Sequence, residues 1–204
     1  MLQEQAVPEP LLAVLRQISP VLQRHQFYLA GGTALALRFG HRLSVDLDFF
    51  SVEPFMPSRI EAELKNLYPT LRTTSLTEGS ICCILDGVKV EAFHYPSTLL
   101  SPVEVIDDLT LASLPDNAAM KLSALVNRGT KKDFVDIVEL LDHITLEELL
   151  EYYADKYPQS STFMALTSLS YFTDAEREAD PKFLKNQTWQ SVKEEIQATL
   201  RGYE

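Results

Sequence analysis

The chain has 204 residues, 46% of them hydrophobic, with a formal charge of −11 and a pI near 4.8. It is long enough to bury a sizeable core, and its acidity excludes nucleic-acid binding through a broad basic surface, leaving room only for a local basic strip. No apolar run reaches the roughly eighteen residues of a membrane span, and Glu4, Glu9 and Arg16 interrupt any leader-like start, so a cytoplasmic protein without membrane contact is expected. Cys82 and Cys83 are adjacent in an apparent strand and point to opposite faces, which suits a reducing compartment. His25, His41, His94 and His143 lack the close spacing of a helix-borne zinc site.

Over residues 8–25, Leu11, Leu12, Leu15, Ile18 and Leu22 recur at helical spacing, with Pro20 expected to bend or interrupt the run. Residues 27–30 read as a short strand, Gly31-Gly32 as a tight turn, and Thr33 as the start of a helix that Gly40 ends. Residues 44–51 alternate acidic and apolar side chains as a strand does, and Pro57 starts a helix that closes before Pro69. Three β-rich runs follow at 70–76, 80–85 and 88–94, the last two joined by an Asp86-Gly87 hairpin turn; 103–113 contributes an edge strand. Helical patterns then occupy 115–128, 131–143, 146–157, 161–172 and 188–202. This order predicts an α+β fold, a sheet flanked by helices over residues 1–113 and a C-terminal helical bundle over 114–204.

Within the strand at 44–51, Asp46 and Asp48 share one face while Leu47 and Phe49 share the other. Glu91 stands on the polar face of the strand at 88–94 with Lys89, so three carboxylates can converge. Two like charges about 4 Å apart repel by about 1 kcal/mol in water and about 4 at an effective dielectric of 20, and a divalent cation removes that repulsion. Carboxylate oxygens suit Mg²⁺ or Mn²⁺ completed by substrate phosphates, which is the chemistry of phosphoryl or nucleotidyl transfer. Gly31 and Gly32 permit close backbone approach to a ligand, Thr33 adds a hydroxyl, and a helix start there offers N–H groups to phosphate. The plain alternative is a solvated acidic face with Glu91 paired to Lys89 or an arginine.

The run Gly31-Gly32-Thr33, twelve residues, then Asp46-x-Asp48, with Glu91 later, resembles the active-site pattern of the DNA polymerase beta nucleotidyltransferase superfamily. More closely, "GGTALALRFGHRLSVDLDFF" together with "AAMKLSALVNRGTKKDFVDIVELL" resembles the AbiEii/AbiGii nucleotidyltransferase toxin family, over about residues 27–142. The resemblance implies a nucleotidyltransferase-like mixed sheet in which Gly31, Gly32 and Thr33 hold a nucleoside triphosphate, and Asp46, Asp48 and Glu91 hold Mg²⁺ or Mn²⁺. Threonine stands where the superfamily often has serine, and Glu91 where it often has aspartate.

Lys121 and Arg128 lie at i and i+7 on one helix face and can grip phosphate, a role the resemblance also implies for both. Arg42 either contacts phosphate or pairs with an acid; Arg128 and Asp133 divide between the nucleotide and local ion pairing; Asp136 reads as a structural partner of Lys132. Phe134, Ile137 and Leu141 read as core. By resemblance the protein is the toxin of a bacterial toxin–antitoxin or phage-defence pair with a cognate antitoxin, transferring a nucleotide to a transfer-RNA 3′ end or to a protein hydroxyl. The alternatives are a non-catalytic nucleotide-binding module on the same fold and a metal-dependent phosphodiester hydrolase.

Overall fold

Leu11, Val14, Leu15, Ile18 and Leu22 bury one stripe of the first long helix, α1 (Glu9–Arg24), which follows a short 3-10 turn at Glu4–Ala6. The expected break at Pro20 does not occur: the ring lies inside α1 on its exposed side. Burial of the stripe on both sides of the ring holds the helix together, and the neighbouring Ser19 hydroxyl donates to the Leu15 carbonyl at 2.6 Å. The structure, a computed structural model, describes residues 1–203.

Seven strands form one mixed sheet: β1 (Tyr28–Leu29), β2 (Asp46–Ser51), β3 (Arg72–Thr77), β4 (Ser80–Leu85), β5 (Val88–His94), β6 (Glu104–Ile106) and β7 (Leu109–Leu111), in the order β3-β4-β5-β2-β1-β7-β6. The hairpin between β4 and β5 has positive φ at both turn residues, 47° at Asp86 and 84° at Gly87, as the expected Asp-Gly turn requires. Residues 103–113 supply two strands rather than one, with β6 at the edge and β7 pairing parallel to β1.

The pairing that matters most for function is β2 with β5, which run parallel with Asp46 opposite Lys89 and Asp48 opposite Glu91. Alternate residues Leu47, Phe49, Val90 and Ala92 are buried against α1 and α3 (Pro57–Leu67). Strand alternation therefore turns Asp46, Asp48, Lys89 and Glu91 to the opposite face.

Between β1 and β2 runs α2 (Gly31–Phe39), capped by Gly40 in the left-handed region at φ 67°. The helix begins at Gly31 rather than at Thr33, so the glycine pair forms its first turn and Ala30 stands at the N-cap. The C-terminal half contains α4 (Leu114–Arg128), α5 (Lys131–Leu141), α6 (Leu146–Lys156), α7 (Thr162–Leu169) and α8 (Trp189–Tyr203). Their apolar faces form a second core, and Leu35 of α2 belongs to it, so apolar packing crosses from the sheet region into the helices. A buried ion pair adds to that contact: Lys156 Nζ lies 2.7 Å from Asp116 Oδ1, and Asp116 also accepts from the Leu100 and Ser101 amides. Among the described residues, no helix is long and apolar enough to cross a membrane.

Candidate active site

The N-terminus of α2, the acidic face of β2 and β5, and the facing ends of α4 and α5 enclose a cleft of about 360 Å³. Gly32, Thr33, Arg42, Asp46, Asp48, Glu91, Lys121 and Arg128 all line it, so most of the residues singled out from the sequence meet in one place. Gly31 and Asp133 do not line it. Ser44, Lys89, Thr130, Lys132 and Glu178 complete the wall.

Gly31 adopts φ +68°, a left-handed conformation that favours glycine, and its N–H donates to Asn117 Oδ1 at 2.9 Å. Asn117 thereby fixes the first turn of α2, whose following N–H groups at Gly32 and Thr33 are the ones that a helix start leaves without intrahelical acceptors. The Thr33 hydroxyl points inward, donating to the Asp46 carbonyl and lying 2.8 Å from the Ser44 hydroxyl. Its side chain therefore locks the helix start to the beginning of β2, and backbone is the part of Thr33 best placed for an anion.

Gly32 answers a different demand. A Cβ there would come within 2.3 Å of Arg42 Nη2. That guanidinium is buried and bidentate on Asp136, with Nε at 2.6 Å and Nη2 at 2.8 Å. Arg42 thus takes the acid-pairing course, and its remaining Nη1 donates to the Leu43 carbonyl. Gly32→Ala is expected to lower the free energy of unfolding by about 1–3 kcal/mol in urea titration, because the added methyl must displace an arginine held by two short bonds.

Asp136 is fully buried and is the hub of the polar interior. Besides Arg42 it accepts from His41 Nε2 at 2.7 Å and lies 2.8 Å from Lys121 Nζ. Burial by itself would push this carboxyl up, but the Arg42 and Lys121 charges and the His41 bond outweigh it and hold it well below the usual carboxylate range. The expected Lys132–Asp136 helix pair is not the one formed; Lys132 faces the cleft instead. Asp133 is also fully buried, accepting from Lys121 at 3.1 Å, from Arg128 Nε and Nη2 at 2.9 Å each, and from the Thr130 hydroxyl at 2.6 Å. Burial is again overcome, here by the Arg128 bonds, the Lys121 charge and Thr130, and the carboxyl is lowered to about 2. Asp133 reaches the cleft only through the two cations it orients.

The acidic wall lacks such compensation at its centre. Asp48 is pushed up to about 6, first by burial, then by Glu91 and then by Asp46, against the smaller opposing pull of Lys121 and Lys89. Glu91 itself is ion-paired to Lys89 and accepts from the Cys82 thiol at 3.3 Å. Glu91 nonetheless remains near enough to Asp48 to act on it more strongly than Asp46 does; among the described residues, no group of three or more His, Cys, Asp or Glu side chains is gathered to hold a metal ion. The expected pairing of Glu91 with Lys89 is formed, and Glu91 stands in register with Asp48.

A stretch of chain far from the motifs completes the site. The Leu43 amide donates to the Lys182 carbonyl at 2.8 Å and the Leu184 amide to the His41 carbonyl at 2.9 Å, so residues 182–184 strap the loop that carries Arg42. The buried Lys131 ties the same segment to α5 through the Glu178 carbonyl and Asp180, both at 2.8 Å. Asn117, Ser44, Glu178 and this strap carry no signal that spacing alone could expose, because each acts across a long sequence separation.

Comparison with known proteins places the whole chain. The family model for the nucleotidyl transferase AbiEii toxin of type IV toxin–antitoxin systems matches residues 13–103 and 83–202. The match extends through the C-terminal helices, beyond the region over which the sequence motifs are legible. Uncharacterized protein aq_aa25 of Aquifex aeolicus is 35% identical over 185 residues, covering 88% of each chain. Among solved structures, JHP933 of Helicobacter pylori superposes with a TM-score of 0.65 at 21% identity, covering 98% of this chain and 92% of its own. MenT4, a nucleotidyltransferase toxin of Mycobacterium tuberculosis, does so with a TM-score of 0.51 at 15% identity, covering 92% and 80%. With an acidic strand pair facing a helix start and two anchored cations, and with the family model matching along most of its length, the chain belongs to the AbiEii nucleotidyl transferase toxin family.

Proposed function

We propose that the cleft transfers a nucleotidyl group from a nucleoside triphosphate to an acceptor hydroxyl, with Mg²⁺ or Mn²⁺ held by Asp46 and Asp48 and supported by Glu91. The observation that carries this reading is the facing of two walls: carboxylates of β2 and β5 on one side, Lys121 and Arg128 on the other, with the first turn of α2 at one end. The donor set fits a hard divalent cation, since it is all carboxylate oxygen and its central member, Asp48, sits among negative charges that leave its ionised form undercompensated. Such a cation, when bound, neutralises phosphate charge and activates an attacking oxygen.

The chain's own groups divide the remaining work. The Gly32 and Thr33 backbone amides and Lys121 bind phosphate oxygens; Arg128, partly exposed and steadied by Asp133, orients the triphosphate. Lys121 cannot drift, because two buried aspartates hold its ammonium. An ionised carboxylate of the acidic wall accepts the proton of the acceptor hydroxyl.

An RNA 3′ end is the acceptor favoured by charge. Although the net charge is −11, Lys89, Arg128 and Lys132 collect at the cleft and supply a local basic strip beside the acids. In the cell the protein would act in the cytoplasm as a toxin restrained by a cognate antitoxin. The test is incubation of the purified chain with each of the four α-³²P-labelled triphosphates, Mg²⁺ or Mn²⁺, and total RNA or lysate protein. Label should enter RNA, vanish with EDTA, and fall to the no-enzyme level in Asp46→Ala. Tight triphosphate binding without incorporation would favour a non-catalytic module, and release of nucleotides from RNA without triphosphate would favour hydrolysis.

A further inference from the structure

Lys89 has no part in that reading beyond lending charge, yet it occupies a singular position. It projects from β5 on the same face as Glu91, pairs in register with Asp46, and is ion-paired to Glu91, whose own register partner is Asp48. It is therefore a cation set into a ladder of three carboxylates. Its side chain is 54% exposed, whereas that of Lys121, the other lysine acting on Asp48, is 4% exposed and pinned between Asp133 and Asp136. One lysine is fixed and the other is free to swing.

The geometry points to Lys89 as an exchangeable counter-ion: it holds Glu91 in the metal-free protein, yields that carboxylate to the divalent cation, and then turns into the cleft to take a phosphate oxygen of the triphosphate. The inference rests on the nucleotidyl-transfer reading of the cleft. Three observations support it. Glu91 is in register with Asp48, and its Oε2 is engaged by Lys89. Release of Lys89 does not strand Glu91, because its other oxygen accepts from the Cys82 thiol. Lys89 already lines the cleft, so its flexible stem needs only side-chain rotation to reach an anion there.

Such an exchange couples metal and nucleotide in opposite directions at one residue. A lysine competing for a metal ligand weakens metal binding, and the same charge, once freed, strengthens triphosphate binding. Lys89→Met keeps the stem and removes the charge. With the full chain and no nucleotide, Mn²⁺ binding followed by electron paramagnetic resonance should tighten about tenfold in Lys89→Met. At saturating Mn²⁺, affinity for α,β-methylene triphosphates, measured by calorimetry across the four bases, should weaken about fivefold. Lys89→Arg should stay near wild type in both measurements, and Lys132→Met, on the opposite wall, should weaken the triphosphate analogue while leaving Mn²⁺ affinity unchanged. Unchanged or weaker Mn²⁺ binding in Lys89→Met, with wild type binding Mn²⁺ and Asp48→Asn failing to, overturns the role of Lys89 alone. Equal Mn²⁺ binding by wild type and Asp48→Asn overturns the metal-holding reading and this inference with it.

Discussion

Asp48→Asn is expected to reduce nucleotidyl transfer by about a thousandfold or more while raising the stability of the metal-free protein. On the proposed function, the loss follows from removing a carboxylate that would hold the cation, whose transition-state stabilisation is worth several kcal/mol. The gain follows from the sign of the Asp48 shift. Its folded pKa, about 6, lies above the ordinary value of 3.8. Its favourable contribution is thus full below about pH 4 and is lost as pH rises through 6; above that, the ionised carboxylate costs the fold about 2–3 kcal/mol. Asparagine removes the cost, so at pH 7.5 in EDTA the variant should unfold at a higher urea concentration than wild type. Wild type in EDTA should itself stabilise as pH falls from 7.5 towards 5.5, and Asp48→Asn should lose most of that trend. Saturating Mn²⁺ should raise the wild-type melting temperature but not that of the variant. A variant less stable than wild type in EDTA would refute the view of Asp48 as an undercompensated charge.

Asp136→Ala should have the opposite character, costing about 3–5 kcal/mol of stability before any catalytic role is considered. The substitution leaves Arg42 and Lys121 buried, the first with no carboxylate partner and the second with Asp133 alone. For a domain of this size that corresponds to a drop in melting temperature of about 10 °C. Asp136→Asn should be nearly as damaging, since charge rather than volume is removed, whereas Lys132→Ala at the exposed rim should stay within about 0.5 kcal/mol of wild type. Acid should reproduce part of the effect. Asp136 and Asp133 have folded pKa values below the ordinary one, so their contributions are present above about pH 4 and are lost as pH falls, for Asp133 through about 2. If Asp136→Ala melts within 2 °C of wild type, the buried hub is not what secures Arg42 and Lys121.

These two aspartates show how local and distant causes divide the site. Alternation at two-residue spacing is a local property, so the shared face of Asp46 and Asp48 was legible directly, and the buried Leu47 and Phe49 fall on the other face as that spacing demands. The glycine turn was legible as a place for close approach, but its form was not: Gly31 and Gly32 start the helix, and the close approach that Gly32 permits includes Arg42 within the protein itself. Pro20 misled in the other direction, because a helix propensity penalty of a few kcal/mol was outweighed by burial of an apolar stripe on both sides of it.

By itself, the amino-acid sequence determined the order and type of most elements, the two-motif resemblance and the acidic face of β2, all of which depend on residues within a few positions of one another. Only the tertiary structure decided that β5 lies parallel to β2 with Glu91 level with Asp48, that Arg42 turns inward to Asp136, and that residues 182–184 strap the loop before β2. Those decisions join residues 43 to 143 positions apart. Periodicity carries no information about such pairs, because the partner of a charge is chosen by which surfaces pack together and exclude water, and that choice is made by the whole core at once.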